Sequence, residues 1–154
     1  FGLLQGRVGC WGASPFTDPT LGYVAVPGDW FGEGPALLGI TRTLSFRALE
    51  RSTLLYLPAV RMRQMADAEP GLQQHFARLS ETAAQLMAGL ISELLIPNTE
   101  RRLAILLVRA ARTVLDTGPT ATAPLPLGQA QLGELVGTSR AQRNRILRGW
   151  AEQG

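Results

Sequence analysis

The residues with the clearest chemistry lie near the carboxyl end of the chain, where arginine, asparagine and hydroxyl side chains recur at helical spacing. The last 27 of the 154 residues hold four Arg against two Glu, and all fifteen basic residues of the chain are arginine. Arginine matches the paired acceptors of guanine, and asparagine matches adenine. This chemistry indicates double-stranded DNA as a partner, although a solvated helix face can carry the same net charge.

Residues 129–148 have the spacing of a DNA-binding helix-turn-helix. Gly133 is a small residue where a second helix must approach closely, and Gly137 supplies the turn. Ser139 is expected to cap the second helix, with Gln142 completing a capping box. The inner faces of the two helices carry the apolar residues Leu132, Leu135, Val136, Ile146, Leu147 and Trp150. An αα-hairpin without a ligand is the alternative interpretation.

The second of these helices has a core face and an opposite face that would enter the major groove. At about 100° per residue, Arg143 falls in the middle of the core face, where an unpaired buried charge is costly. Its side chain could snorkel outward, or it could contact the linker or the preceding helix. Ser139 and the first amides of the helix are placed to hold a phosphate. The predicted DNA-contacting residues are Ser139, Arg140, Ala141, Asn144, Arg145 and Arg148.

The elements that must position this segment change type at Pro58. Before it, short apolar runs between many Gly and Pro residues predict an antiparallel sandwich or barrel. The predicted strands cover 3–5, 7–11, 21–26, 43–49 and 53–57, and 13–20 is expected to be a loop. Helices are predicted over 59–68, 70–96 and 98–115, with Pro97 as the break and Asn98 as a cap. A polar, proline-rich connector, 116–126, leads to the helix-turn-helix.

The long predicted helix carries two apolar stripes. The first repeats at intervals of four and three residues, a period typical of helix pairing. We expect one face to cover the β-domain and the other to join a second copy in a homodimer through residues 72–95. The alternative is a helix buried within one monomer. The first stripe is Leu72, Phe76, Leu79, Ala83, Leu86 and Leu90, and the second is Met87, Ile91, Leu94 and Leu95.

Composition disfavours several other classes of protein. A single cysteine, Cys10, cannot form a disulfide framework, a four-cysteine iron–sulfur cluster or an all-cysteine zinc site. The one histidine, His75, is interpreted as a helix-face residue rather than a haem or metal ligand. No metal triad, nucleophile–base pair or P-loop is visible, so we expect no enzyme with a cupin-like barrel and no catalytic residues. The longest aliphatic run, 103–108, is far shorter than the roughly 20 residues of a membrane span, and without a visible signal peptide we expect a cytoplasmic protein.

These features, in this order, resemble the Crp/Fnr transcription regulators of bacteria. The resemblance implies an α+β fold with an antiparallel, jelly-roll-like sensor domain, of which 1–70 would be a partial β-roll with a short helix. A dimerisation helix would follow at 71–96, and a winged helix-turn-helix domain, without its wing, at 97–154. The resemblance further implies an effector-modulated, homodimeric regulator in which Arg140 and Arg145 read bases, with RNA polymerase as a further candidate partner. Ala141 replaces a residue that reads a base in many relatives. The matching motifs are Gln5-Gly6-Arg7-Val8, Pro27-Gly28-Asp29-Trp30-Phe31-Gly32-Glu33, Arg42-Thr43 and Thr138-Ser139-Arg140.

Relatives that bind cyclic nucleotides have a phosphate-binding cassette, which Phe31-Gly32-Glu33 and Arg42-Thr43 resemble. By that resemblance Glu33 would accept from a ribose hydroxyl, Arg42 and Thr43 would bind the cyclic phosphate, and Gly32 would allow a close approach. The chain departs from the cassette at Pro35, where an amide donor would be useful. It also departs at Leu86 and Met87, where a cAMP-responsive relative offers hydroxyls to adenine. The expected effector is therefore cAMP or another small anion, and the alternative is a vestigial roll.

The resemblance also implies strands of the roll before Phe1 and a β-wing after Gly154, so we expect the natural protein to be longer. The expected mechanism is an effector-biased rotation of the DNA-binding units about Pro97. This rotation would bring two recognition helices into register with half-sites roughly 34 Å apart. The competing hypothesis is a cyclic-nucleotide-type sensor whose C-terminal helices bind a protein rather than DNA.

Overall fold

The structure, a computed structural model, describes residues 1–115 and 127–153. The chain divides into two compact units, Phe1–Leu90 and Ile91–Gly154. The connector predicted over 116–126 lies outside the described residues, and the domain bounds expected at 71 and 97 stay predictions. The strands are β1 (Gly2–Gln5), β2 (Val8–Ser14), β3 (Thr17–Ala25), β4 (Leu44–Ala48) and β5 (Thr53–Leu55). The helices are α1 (Glu33–Leu38), α2 (Ala59–Ala68), α3 (Pro70–Leu94), α4 (Thr99–Leu115), α5 (Gln129–Val136) and α6 (Arg140–Gln153).

The five strands pair antiparallel within the unit Phe1–Leu90. β1 pairs with β5, and β2 lies between β3 and β4 in a three-stranded sheet. Every predicted strand is found, which confirms the prediction of an antiparallel β-domain. The loop predicted over 13–20 is wrong, because β2 extends to Ser14 and β3 begins at Thr17, with Pro15 and Phe16 as the turn of a tight hairpin. Pro19 is tolerated in β3 because β3 is an edge strand of this sheet.

Two apolar clusters hold this unit together. The sheet cluster is formed by Leu3, Val8 and Ala25, with Tyr23, Phe31 and Phe46 packed against it. The helical cluster is formed by Met62 and Ala66 of α2 and Phe76 of α3, with Ala36, Leu37, Leu57, Leu72 and Leu79 packed against it. The first stripe predicted on α3 therefore packs, in its first half, against α1 and α2 of the same unit. One face of the long helix was expected to cover its own domain in this way.

The short helix α1 was not predicted, because Gly34 and Pro35 indicate a loop in the sequence. Pro35 is the third residue of the helix, where a backbone amide has no intrahelical partner, so its ring removes no hydrogen bond. The N–H of Gly39 donates to the carbonyl of Pro35 at 3.0 Å and ends the helix. Proline and glycine were read as loop residues in the sequence, whereas in α1 Pro35 occupies the first turn and Gly39 ends the helix.

The later helices confirm the predictions from periodicity. α2 has its expected bounds, and α3 ends at Leu94, shortly before Pro97. The N–H of Arg101 donates to Oδ1 of Asn98 at 2.9 Å, which confirms Asn98 as the cap of α4. Ile91 and Leu94, in the second predicted stripe, are 60% and 48% exposed. That stripe therefore leaves apolar side chains of α3 in contact with solvent.

Candidate nucleic-acid interface and ligand cavity

The turn between α5 and α6 has the geometry that the sequence predicts. Gly137 adopts a left-handed conformation, with φ 63° and ψ 50°, which favours glycine because it has no Cβ. Its N–H donates to the carbonyl of Glu134 at 3.1 Å, and the N–H of Thr138 donates to the carbonyl of Gly133 at 3.0 Å. These bonds satisfy carbonyls at the end of α5 and let the chain reverse within three residues. α6 then begins at Arg140.

Ser139 caps α6 as predicted, but the capping box is wrong. The N–H of Gln142 donates to Oγ of Ser139 at 3.2 Å. The Gln142 side chain turns elsewhere, since its Oε1 accepts from the Thr138 hydroxyl at 3.0 Å and its Nε2 donates to Oγ1 of Thr99 at 3.2 Å. Gln142 therefore links the turn to the start of α4 instead of closing on Ser139.

Arg143 is buried in the core face of α6, with only 2% of its surface exposed. Its Nη2 donates to Oε1 of Gln129 at 3.2 Å, so the side chain contacts the preceding helix and does not snorkel outward. A Cβ atom at Gly133 would lie 2.7 Å from Nη1 of Arg143 and 3.3 Å from the carbonyl oxygen of Thr138. Gly133 thus provides the space that the guanidinium of Arg143 occupies. The sequence predicted only that a second helix approaches Gly133 closely, and the structure identifies the group that fills this space.

The opposite face of α6 is basic and accessible. Ser139, Arg140, Ala141, Arg145 and Arg148 are all exposed. Among the residues that the structure describes, none of these three arginines forms a hydrogen bond or an ion pair. Their charge is therefore available to an external anion.

Asn144 differs from the other predicted contact residues because it is half-buried. Its Oδ1 is fully buried and has no hydrogen-bond partner among the described residues. The amide of Asn144 therefore lies at the margin of the accessible face rather than at its centre, and a role in reading adenine stays a prediction.

An arginine that the sequence did not single out holds this unit together. Arg102 of α4 donates from Nε to the carbonyl of Val136 at 3.0 Å and from Nη2 to Oγ1 of Thr99 at 3.1 Å. Its Nη1 donates to the carbonyl of Ile96. One guanidinium therefore joins the last turn of α5, the start of α4 and the residue before Pro97. The sequence signal was weak, because Arg102 lies in a run of ordinary helix-forming residues.

Trp150 and Glu100 make a second link between α4 and α6. Nε1 of Trp150 donates to Oε1 of Glu100 at 2.7 Å. Leu103 and Val136 are 0% and 1% exposed and form the centre of the three-helix core. Ile146, Leu147 and Trp150 are half-buried, as expected for an inner face.

The unit Phe1–Leu90 contains a cavity of about 320 Å³ between the sheet, α1 and α3. The predicted effector residues Gly32, Glu33, Arg42 and Thr43 all line it. The structure therefore brings together residues that the sequence separates by up to eleven positions. Leu86 and Met87 of α3 line the same cavity, as the resemblance implied.

Four polar side chains of the cavity wall, those of Tyr23, Asp29, Glu33 and Thr82, form hydrogen bonds within the protein. The hydroxyl of Tyr23 donates to Oδ2 of Asp29 at 2.7 Å, and the N–H of Val26 donates to the same oxygen at 2.9 Å. The hydroxyl of Ser80 donates to Oε1 of Glu33 at 3.1 Å. The hydroxyl of Thr82 donates to the carbonyl of Arg78 at 2.8 Å. These bonds fix the orientation of the wall and occupy one oxygen each of Asp29 and Glu33.

The side chains of Trp30, Arg42 and Thr43 also line the cavity but make no hydrogen bond among the described residues, and Arg42 and Thr43 are the two that could bind an anion by a charge and a hydroxyl. Both are exposed, and within the described residues neither makes a hydrogen bond or an ion pair. The Cζ atom of Arg42 lies 5.6 Å from the centroid of the Phe1 ring, a cation–π contact. A Cβ atom at Gly32 would lie 3.7 Å from Nη2 of Arg42, so the guanidinium lies close to the backbone at the start of α1. In a vestigial roll Arg42 and Glu33 would be paired or solvated; the two do not pair in the structure, and Arg42 is exposed to solvent, so the vestigial alternative stays open.

The remaining candidate groups are the single cysteine and the single histidine. Cys10 lines the cavity, and burial raises the pKa of its thiol. His75 is exposed on α3, in agreement with its interpretation as a helix-face residue. Across residues 1–115 and 127–153 no three His, Cys, Asp or Glu side chains are grouped as metal ligands. None of the described helices is both long and apolar enough to cross a membrane.

Solved structures resemble this one over 99% of the chain. FixK2 from Bradyrhizobium japonicum has a TM-score of 0.81 at 15% sequence identity, and 74% of that chain is covered. A CRP-family transcriptional regulator from Thermus thermophilus has a TM-score of 0.75 at 18% identity, with 75% of that chain covered. A putative crp/fnr-family regulator from Eubacterium rectale has a TM-score of 0.73 at 16% identity, with 68% covered. The chain has the Crp/Fnr fold.

This likeness confirms the predicted α+β fold, in which an antiparallel β-domain precedes a helical unit with a helix-turn-helix. No family model and no curated protein sequence matches the chain. The Crp/Fnr fold therefore rests on three-dimensional similarity at 15–18% identity. What the protein does must be argued from its own residues.

Proposed function

We propose that this protein is a dimeric, effector-modulated transcription regulator of the Crp/Fnr type that binds double-stranded DNA through α6. The observation that carries the proposal is the exposed face of α6, where Arg140, Arg145 and Arg148 have no partner among the described residues. Arginines on a recognition helix bind phosphates and the paired acceptors of guanine. Ser139, Ala141 and Asn144 complete the proposed DNA-binding set.

The rigidity of the turn supports this function. A recognition helix can distinguish bases only if the scaffold holds it in one orientation. Gly137, Ser139 and Gln142 fix the start of α6, and Arg143 fixes its inner face against α5. The exposed arginines are thus presented on a helix whose other faces are bonded within the unit.

The effector part of the proposal rests on the cavity in the unit Phe1–Leu90. Gly32, Glu33, Arg42 and Thr43 line it, and Arg42 and Thr43 offer a cation and a hydroxyl to an anion. A small anionic effector, of which a cyclic nucleotide such as cAMP is one candidate, would bind there. To regulate, it must bind the DNA-competent state more tightly than the other state.

Dimerisation is proposed to use α3 within residues 72–95. The exposed Ile91 and Leu94 support this assignment, because a monomer would leave them in water. Dimers of regulators with a helix-turn-helix bind two half-sites, which makes an inverted repeat the expected target. Sedimentation of the full chain at micromolar concentration would yield a dimer mass, and Ile91→Glu would yield a monomer mass.

The experiment that tests the DNA-binding proposal is a selection of genomic DNA fragments by the full chain, with and without cAMP. Recovery of an inverted repeat is expected, and its loss in Arg145→Gln but not in Arg61→Gln would link binding to α6. Arg61 is a matched control because it is an exposed arginine of α2 that bonds only Gln64. No enrichment in either condition, even after the ligands tested below are added, would contradict DNA binding and leave a protein-binding sensor as the explanation.

A further inference from the structure

We propose that the cavity binds an organic monoanion with an apolar body, of the aryl-carboxylate type, in preference to a cyclic nucleotide. This inference rests on the effector part of the proposed function and assigns the chemical class of the effector. Its basis is the distribution of free and satisfied polar groups in the cavity wall.

The first argument is the wall that α3 and the sheet contribute. The side chains of Leu79, Ala83, Leu86 and Met87 face the cavity from α3, and Leu44 and Phe46 face it from β4. None of them can donate or accept a strong hydrogen bond. A purine has ring nitrogens and an amino group that would lose their bonds to water against this wall, which is costly without replacement partners. An aromatic or branched hydrocarbon loses nothing there and gains from burial.

The second argument is that several of the other polar side chains are already engaged within the wall. Asp29 accepts from Tyr23 and Val26, Thr82 donates to a carbonyl of its own helix, and Glu33 accepts from Ser80. Each carboxylate thus already accepts at one oxygen, and a ligand rich in hydroxyls would find only the remaining oxygens of Asp29 and Glu33 as acceptors. A ligand with one polar end would leave them undisturbed.

The third argument is the single cationic end of the cavity. Arg42 and Thr43 are adjacent and make no hydrogen bond or ion pair with the described residues, although the Arg42 guanidinium contacts the Phe1 ring and lies near the backbone of Gly32. A carboxylate can receive two parallel bonds from one guanidinium and a third from a hydroxyl. The cavity volume of about 320 Å³ is near the lower end of the roughly 300–1,000 Å³ typical of ligand pockets, which suits a compact ligand of one or two rings.

The test is calorimetric titration of the full chain with three probes: 1-naphthaleneacetate, its neutral amide 1-naphthaleneacetamide, and cAMP. We expect the carboxylate to bind at one site per chain and at least tenfold more tightly than either other probe, because a charged hydrogen bond would be lost in the amide. Equal affinity for acid and amide, tighter binding of cAMP, or no binding of the acid would each overturn the inference.

Substitutions in the cavity test whether the probes bind there, and matched substitutions outside it control for effects on folding. Arg42→Gln should weaken binding of the carboxylate about tenfold or more and leave the amide unchanged. Arg47→Gln is the matched control, because Arg47 also lies over an aromatic ring, that of Trp11, but does not line the cavity. Leu86→Asn should weaken both naphthalene probes, whereas Val60→Asn, on the exposed side of α2, should weaken neither. An Arg42→Gln protein that binds the acid as tightly as the unaltered chain would contradict the assignment.

The binding measurement is separate from DNA recognition, so the two proposals can fail independently. Tight cAMP binding that Arg42→Gln abolishes would overturn the apolar monoanion and keep an effector-modulated regulator. Binding of no probe would overturn this inference and leave the effector part of the proposed function to small anions of another class. DNA binding by α6 would still be decided by the fragment selection.

Discussion

The guanidinium of Arg143 lies against Gly133, with Nη1 only 2.7 Å from the position that a Cβ of residue 133 would occupy. The two residues belong to different helices of the helix-turn-helix and are ten positions apart in the chain. Their contact explains two unusual features of the sequence. The first is a charged residue on the core face of α6, and the second is a glycine in the interior of α5. Each residue is unfavourable alone, and the pair determines how closely α5 and α6 pack.

Substituting Gly133→Ala should therefore destabilise the unit, although alanine is the better helix former by about 1 kcal/mol. The added methyl group must displace the guanidinium, and overpacking of this kind costs about 1–3 kcal/mol. Urea unfolding followed by circular dichroism would measure the loss. In an Arg143→Met background the cost of Gly133→Ala should fall to within about 1 kcal/mol of zero. A cost that is unchanged in that background would show that the helix backbone, and not Arg143, requires glycine.

Arg102 provides a second stability prediction. Arg102→Met should lower the free energy of unfolding by about 2–3 kcal/mol, because the carbonyls of Ile96 and Val136 would lose charged donors in a half-buried environment. Arg101→Met is the matched control, since Arg101 is the exposed neighbour on the same helix. Thermal unfolding of the two variants would decide the issue, and equal melting temperatures would show that the Arg102 bonds contribute nothing net.

The exposed face of α6 predicts a particular salt response. Arg145→Gln should weaken binding to the recovered operator by about 1–3 kcal/mol if Arg145 contacts a guanine. Arg148→Gln should instead reduce affinity for all sequences and lower the slope of log affinity against log salt by about one, if Arg148 contacts a phosphate. Fluorescence anisotropy over a salt series would separate these roles. An identical loss on specific and unrelated DNA in both variants would contradict base reading by Arg145.

The buried thiol of Cys10 predicts a pH-dependent alkylation rate. Because burial raises the pKa of Cys10, its thiolate forms at higher pH than that of a free cysteine, whose pKa is about 8.5. Iodoacetamide should modify the folded protein more slowly than free cysteine at neutral pH, and urea should remove the difference. The folded state holds this proton more tightly than the unfolded state, so the contribution of Cys10 to stability should fall as the pH rises above the unfolded value. Alkylation as fast as that of free cysteine would show that the thiol is accessible.

Elements with a strong and uninterrupted pattern were predictable from the sequence. The strands before Pro58, the two helices beside Pro97 and the helix-turn-helix all follow from hydrophobic period and from cap and turn residues. The hairpin turn at Pro15-Phe16 and the helix α1 were missed, because proline and glycine there indicate a loop when read locally. In the fold, an edge strand and a first helical turn both tolerate proline.

The site was predictable to the extent that residue type determines it. All four expected effector residues line the cavity, and five of the six expected DNA-binding residues are exposed. The roles of Arg102, Arg143 and Gln142 were not predictable, because they depend on the path of a long side chain to a backbone atom or a residue on another helix. The hydrogen bonds that Glu33 and Asp29 accept were not predictable for the same reason, since their partners become visible only in three dimensions.

Pro19 has a consequence for the behaviour of the protein at high concentration. Within the described residues β3 pairs only with β2, so its outer backbone groups could template a strand from another molecule. Near the hairpin tip, the exposed Asp18 adds a charge and Pro19 lacks an amide hydrogen, so an incoming strand would meet repulsion or an unmatched carbonyl. The same proline that conceals the strand in the sequence thus protects one end of it against growth of ordered β-aggregates.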